Sequence, residues 1–389
     1  MGCTSKCPTL IRFPPHSLQI SKSTPSTRYS FQNRIRIRLM KPFLLLSFLR
    51  PSRRSLHALI VVSLLTPALW AAKPHYDFFI CANVNRNYVI GSTIVTTNGL
   101  FQHDEDANQW NHFGYNDTTI SAVAFDPQDR NVIYTTTLNG IWRSLDGGKS
   151  WRMTNSWDMT EGRDVAVDPN TPSHVYLALP DGIAVSTDRG QTWQRREKGL
   201  PERGKYTQTI EVDRTQANRV LAGCEKGIFL TNNAGKKWRQ VLPTETTVND
   251  LEQSPHHPNE WLAVTDTHGA WSSTDGGLSW AQIKGMPSDE AIYNVSFDPT
   301  NPSRLAVASW AYGVWTSEDG GTSWKACNAG LPENPRAWRV GVDPNTGRLY
   351  ASIFKETLYY SDDFGRTWHP DALAGSLVNA FLSIPSTNP

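Results

Sequence analysis

Six times along the chain an acid or amide, a glycine and a tryptophan come together within eight residues. SLDGGKSW ends at Trp151, STDRGQTW at Trp193, TNNAGKKW at Trp238, STDGGLSW at Trp280, SEDGGTSW at Trp324 and SDDFGRTW at Trp368. A carboxylate beside hydroxyls and a tight turn suits three chemistries: a calcium loop, a catalytic acid, or a hydrogen-bonded turn. Calcium takes roughly 6–8 oxygen ligands, and one carboxylate per stretch falls far short. A catalytic acid is not needed six times over. The turn is the expected role. Asp146, Asp188, Asp275, Asp319 and Asp363 would accept hydrogen bonds from turn N–H groups. Glycine would supply the positive φ, and Trp151, Trp193, Trp238, Trp280, Trp324 and Trp368 would bury apolar area. Asn233 replaces the acid in TNNAGKKW and keeps the acceptor.

The spacing of these boxes identifies the elements around them. Successive tryptophans lie 42, 45, 42, 44 and 44 residues apart. One period earlier Trp110 closes HDEDANQW, a copy without the box glycine. Gly99, Gly140, Gly182, Gly227, Gly269 and Gly313 each stand eleven residues before a tryptophan, and Thr357 takes that place in the last copy. Within a repeat, an alternating run ends in an Asp-Pro-like turn, as in VAFDP, VAVDP, VSFDP and VGVDP. A second run, a Gly turn, a third run such as GIWRS or GIFLT, the box and a fourth run follow. Four short strands per repeat in seven repeats predict an all-β, seven-bladed β-propeller with four-stranded blades over residues 73–389. The ring must close, and both DFFICANV near residue 77 and LVNAFLSIP at 377–385 compete for one first-strand slot.

Residues ahead of the repeats read differently. The first 54 residues hold 11 Lys and Arg, and no Asp or Glu precedes Asp77. Arg50, Arg53 and Arg54 precede the apolar run Leu56–Ala72. A charged start, an apolar stretch and small residues at its end predict a signal peptide over 40–72, cut near Ala71 or Ala72. Pro67 and the short run argue against a stable membrane span, which needs about 20 apolar residues. Residues 1–39 are a disordered leader or a misassigned start, since Met40 opens MKPFLLLSFLRPSRR. The expected location is therefore exported, periplasmic or extracellular. From Lys73 onward 27 Lys and Arg face 36 Asp and Glu, which offers no basic field for nucleic acid. Cys81, Cys224 and Cys327 are an odd set without metal-ligand spacing and read as buried thiols. No cofactor fingerprint, phosphate loop or metal site appears, so no cofactor is expected.

The boxes resemble the Asp-box, or BNR, repeats of sialidases, sortilin-type receptors, xyloglucanase-type hydrolases and the photosystem II assembly factor family. The resemblance covers residues 77–389. Sialidases also carry a Phe/Tyr-Arg-Ile-Pro motif at the start of the propeller. Here the nearest string, IRFPP at 11–15, precedes the signal segment, so their arginine triad and Tyr/Glu pair find no positions. The xyloglucanase type uses two propellers with an acid from each, whereas this chain has one, and its first-blade turn carries Asn98. Sortilin-type propellers are larger. A single exported seven-bladed ring is most similar to the assembly-factor family and its bacterial relatives, where the resemblance implies a non-catalytic binder of assembly intermediates.

Propeller topology puts the box and Asp-Pro turns on one face, and the Gly turns and blade-to-blade loops on the other. The second face carries Trp157, Arg163, Arg203, Tyr206, Tyr293, Arg336, Trp338 and Arg339. Aromatic and arginine side chains on variable loops read as a binding surface. The expected function is a protein-binding, assembly-factor-like module with a partner in the envelope. The alternative is a glycoside hydrolase, sialidase-like or xyloglucanase-like, in which the aromatics stack on a glycan and two carboxylates cleave it.

Overall fold

The computed structural model describes residues 74–84 and 97–386. The readings made for 1–39 and 40–72 lie outside these residues. The described strands form seven antiparallel sheets of four strands. Blade 1 comprises Leu377–Pro385, Tyr76–Asn83, Gly99–Asp104 and Gln109–Phe113 in that order. Both candidates for its first strand are therefore used: the C-terminal strand is innermost and the N-terminal strand pairs beside it, Tyr76 opposite Pro385 and Asn83 opposite Leu377. Arg130 of the next blade clasps the seam, bonding Asp77 and the Pro385 carbonyl. Blades 2 to 7 follow in chain order, with inner strands Ala122–Asp126, Asp164–Val167, Thr207–Val212, Val248–Gln253, Ile292–Phe297 and Ala337–Val342.

The core is divided into seven layers, each shared by two neighbouring blades. Strand alternation explains this, because successive side chains point to opposite faces of a sheet. In blade 1, Phe78 and Ile80 pack toward blade 7, while Phe79 and Cys81 pack toward blade 2. Second strands such as Val175–Leu179 are buried along their whole length. The outermost strands are reduced to two residues in five blades and keep five only in blades 1 and 4. Short edges leave little unpaired backbone to recruit another chain. Cys81, Cys224 and Cys327 are buried free thiols. Burial raises the Cys81 thiol pKa and pushes that of Cys224 up to about 12.

Each box is a turn knotted by its own side chains. Ser144 Oγ donates to Asp146 Oδ1 at 2.8 Å and accepts the Gly148 N–H at 2.8 Å. Asp146 in turn accepts the N–H and the hydroxyl of Ser150. The same pattern recurs around Asp188, Asp275, Asp319 and Asp363. Asn233 accepts the Lys237 N–H at 2.9 Å. In the six full boxes the second position is always glycine. Its φ is positive, 83° at Gly148 and 68° at Gly190. In three boxes a side chain there would also collide with the preceding blade: Phe113 at Gly148, Tyr134 at Gly190 and Leu221 at Gly277. Trp238 and Trp368 are buried and donate to the preceding blade, at Arg196 and Cys327 carbonyls 2.8 Å away. Trp151, Trp280 and Trp324 are half-buried and donate to a carbonyl of their own box.

Candidate functional site

The inner strands enclose a channel of about 500 Å³. Its wall carries Asp164, Glu211, Asp250, Glu252, Arg214 and Arg339. Asp164, Glu211, Asp250, Glu252 and Arg339 stand on innermost strands, where neighbours such as Val165 and Ile210 also line the channel, and Arg214 follows the end of Thr207–Val212. On the blade 7 side Gly341 leaves room for the Phe381 ring, which a side chain at 341 would strike.

Polar groups of the wall and its flanks bridge every junction between neighbouring blades. Asn379 Nδ2 donates to the Ile120 carbonyl at 2.8 Å, joining blades 1 and 2. Ser121 Oγ donates to the Gly162 carbonyl at 2.7 Å, joining blades 2 and 3. Asp164 accepts the Ile210 N–H at 2.9 Å, and Arg214 donates to the Gln253 carbonyl at 2.8 Å. Asp250 accepts from the Val295 N–H at 3.0 Å and from Asn294 Nδ2 at 2.7 Å. Asn294 Oδ1 accepts the Val340 N–H at 2.7 Å. Arg339 Nε completes the circle by donating to the Asn379 carbonyl at 2.9 Å.

Crowding four carboxyls into a narrow wall shifts their chemistry. Burial pushes the Asp164 pKa up to about 6, against the Ile210 and Val165 N–H bonds that favour the anion. Burial raises Asp250 too, opposed by Arg339. Burial pushes Glu211 up to about 8, opposed by Arg214 and helped by Asp164 and Asp250. Glu252 rises well above the usual carboxylate range through burial and then the charges of Asp250 and Glu211. Three of the four are committed to neighbouring backbone, since Glu252 accepts the Phe297 N–H at 3.3 Å. Among the described residues no group of three or more His, Cys, Asp and Glu is placed to hold a metal ion.

The eight loop residues separate into distinct places. Tyr293 and Trp338 meet at the start of inner strands 6 and 7, ring centroids 4.5 Å apart. Trp310 packs edge-on against Tyr293 at 5.7 Å and contacts Phe354 at 5.1 Å. Arg336 is exposed and lies over Trp310 at 5.4 Å, and exposed Lys355 lies over Phe354 at 5.1 Å. Arg339 is not a surface cation as expected: it lines the channel, bonded to the Tyr293, Trp338 and Asn379 carbonyls. Its neighbours are polar strand backbone, which draws the guanidinium inward. Arg163, which also lines the channel, covers Tyr206 at 5.3 Å. Arg203 is exposed, with no hydrogen bond or ion pair among the described residues. Trp157 stands out from the loop between blades 2 and 3. Reading from sequence missed Phe354 and the channel carboxyls. The signal was available: charged residues interrupt the apolar alternation of RDVAV, TIEV and NDLEQ.

A family profile described as Sortilin, neurotensin receptor 3 (Sortilin-Vps10) matches residues 139–270 and 268–376. No curated protein matches the sequence significantly. Among solved structures, a GH74 xyloglucanase from Xanthomonas campestris is similar, with 20% identity and a TM-score of 0.53 over 65% of this chain and 45% of that one. YCF48 bound to D1 peptide is similar at 21% identity and a TM-score of 0.51, over 66% and 83%. YCF48 from Cyanidioschyzon merolae gives 15% identity and a TM-score of 0.52, over 67% and 86%. At such identities the likeness shows the propeller fold alone. The chain spans 38–50% of the length of the GH74 structures it matches.

Proposed function

The chain belongs to the Sortilin-Vps10 family, and we propose that within it this seven-bladed ring is an exported, non-catalytic module that binds a protein partner through its Gly-turn face. One observation carries the reading: Tyr293, Trp310, Trp338 and Phe354 form a contiguous aromatic group topped by the exposed cations Arg336 and Lys355. Aromatic and arginine side chains dominate the energetics of protein interfaces. The use of Asp164, Asp250 and Glu252 as joints between blades supports the same reading. A propeller of this fold, YCF48, has been seen with a D1 peptide bound. Export is part of the proposal and rests on the arginines and apolar run of 40–72; mature protein beginning near Lys73 is its expected product.

The test is co-purification of a partner with the tagged protein, compared with the Arg336→Glu, Lys355→Glu variant. Both side chains are exposed, so the fold should be retained. A stoichiometric partner lost from the variant is expected. The same partner bound equally by the variant would contradict the reading.

A glycoside hydrolase is the second reading, favoured by Glu211. Its carboxyl keeps a proton to about pH 8 beside Asp164 and Asp250, as a general acid must. Sugar release from a polysaccharide panel, abolished by Glu211→Gln, would replace the first reading with this one.

A further inference from the structure

In blade 7 the fold brings two cations together and gives neither a counter-charge. Arg336 precedes the inner strand Ala337–Val342, whose Ala337 pairs with Ile353 on the second strand. One step beyond that pair, the Phe354 N–H donates to the Arg336 carbonyl at 2.9 Å. The Glu356 N–H donates to the Ile353 carbonyl at 3.0 Å and closes the turn. Lys355 sits at the tip of this turn with φ 63°, in the left-handed region that a lysine rarely adopts. The two cations are thus carried by backbone that is bonded together, and each lies over a ring of the aromatic group, Arg336 over Trp310 and Lys355 over Phe354.

Both side chains are exposed, and neither makes an ion pair or a side-chain hydrogen bond among the described residues. The nearby carboxylates are not used on them. Asp289 accepts from the Tyr312 hydroxyl at 2.9 Å, and Asp266, Glu290, Glu333 and Glu356 form no ion pair with either cation. A contact with a ring leaves the N–H donors of Lys and Arg without an acceptor. Solvent therefore meets two unneutralised positive charges above half-buried aromatic rings.

We infer that Arg336 and Lys355, over Trp310 and Phe354, are a docking point for an acidic segment of a protein partner, whose aspartate or glutamate carboxylates bond the two cations while an apolar neighbour covers the rings. The inference rests on the proposed binding role of this aromatic group and supplies the chemistry of its occupant. Complementary charge selects an anion. A basic segment would be repelled, and a neutral one would leave both cations without a partner. Capture of a chain-terminal carboxylate relies on free backbone N–H groups, and those of Phe354 and Glu356 are spent inside the turn. Extended polyanions are disfavoured by the surplus of acids from Lys73 onward.

The test uses the whole protein labelled with 5-fluorotryptophan, whose Trp310 resonance is assigned by its loss in Trp310→Phe. The probes are capped heptapeptides of equal length, each with one central leucine and with two glutamates, two glutamines or two lysines beside it. The glutamate peptide should shift the Trp310 resonance saturably, and the other two should not. Binding should weaken at least fivefold in Arg336→Gln, Lys355→Gln, with the melting temperature unchanged, and should fall as salt screens the charges. An equal response to the glutamine or lysine peptide, or no loss in the double variant, would overturn the inference. A stronger response to the glutamine peptide with its C-terminus left free would move the site to a terminal carboxylate and overturn it as well. Selectivity for glutamate in a protein whose partner is bound equally by the Arg336→Glu, Lys355→Glu variant would sink the broader reading and leave this contact standing. A partner lost from that variant with no glutamate selectivity would sink the acidic occupant alone.

Discussion

Replacing Asn294 by alanine should break the ring's joints at two places at once. Asn294 is buried and belongs to blade 6. It donates to the Asp250 carboxylate of blade 5 at 2.7 Å and accepts the Val340 N–H of blade 7 at 2.7 Å. Losing the acceptor leaves a buried N–H unpaired, which costs about 1–3 kcal/mol. Losing a donor to a carboxylate costs about 1.5–3 kcal/mol, less where channel water takes its place. The combined loss should be about 3 kcal/mol in urea-unfolding free energy at neutral pH. Asn294→Asp separates the two parts. It keeps an acceptor for Val340 but removes the donor and adds a carboxyl beside Asp250. Its loss should therefore be greater at pH 8 than at pH 5, where a shared proton restores a donor. A loss below about 1 kcal/mol for Asn294→Ala, or no pH dependence for Asn294→Asp, would refute the view that these contacts join the blades.

The channel carboxyls set the sign of the pH response. Glu211 and Asp164 hold protons to about 8 and about 6, whereas the unfolded chain releases them near the ordinary carboxylate values, so stability should fall as pH rises through about 4.5 to 8. Melting temperature measured from pH 5 to 9 should decline, and Glu211→Gln should flatten the decline. The boxes act oppositely at lower pH. The Ser150 hydroxyl and N–H lower Asp146 to about 2, and Ser323 does the same for Asp319, so their contribution is present above about pH 4 and is lost as pH falls toward 2. An acid-unfolding transition centred near pH 5 would contradict this. Trp238→Ala, which empties a buried site between blades 3 and 4, should cost about 3–5 kcal/mol by urea unfolding. Trp151→Ala should cost clearly less, because its ring is half-buried and its N–H bonds its own box.

The fold was legible because its signal is repeated. Six boxes at nearly constant spacing outweigh the ambiguity of any one short strand. The box chemistry was equally local, since Asp146 finds its partners at Ser144 and Ser150. The joints were not legible, because their partners lie one blade away: Asp164 bonds Ile210, and Asn294 bonds both Asp250 and Val340. Nothing in a single repeat says which polar residue will face the lumen rather than the loops. Arg339 shows the difficulty. It adjoins surface residues in sequence, yet it stands in the channel wall, while Trp338, left unpaired by a register shift between Ala337 and Arg339, joins the aromatic group. The order of blade 1 was likewise hidden, since two strands from opposite ends of the chain each suited the innermost place, and only pairing decides between them.

Photo-crosslinking in the native cell tests the binding face most directly. A benzophenone amino acid would be placed at Tyr312 or Arg203 on the Gly-turn face, and at Leu145 or Leu278 in the box turns, all four exposed. Adducts to one defined protein from the first pair, and none from the second, are the predicted result. Adducts arising equally from the box turns, or from neither face, would contradict a partner held on the Gly-turn face.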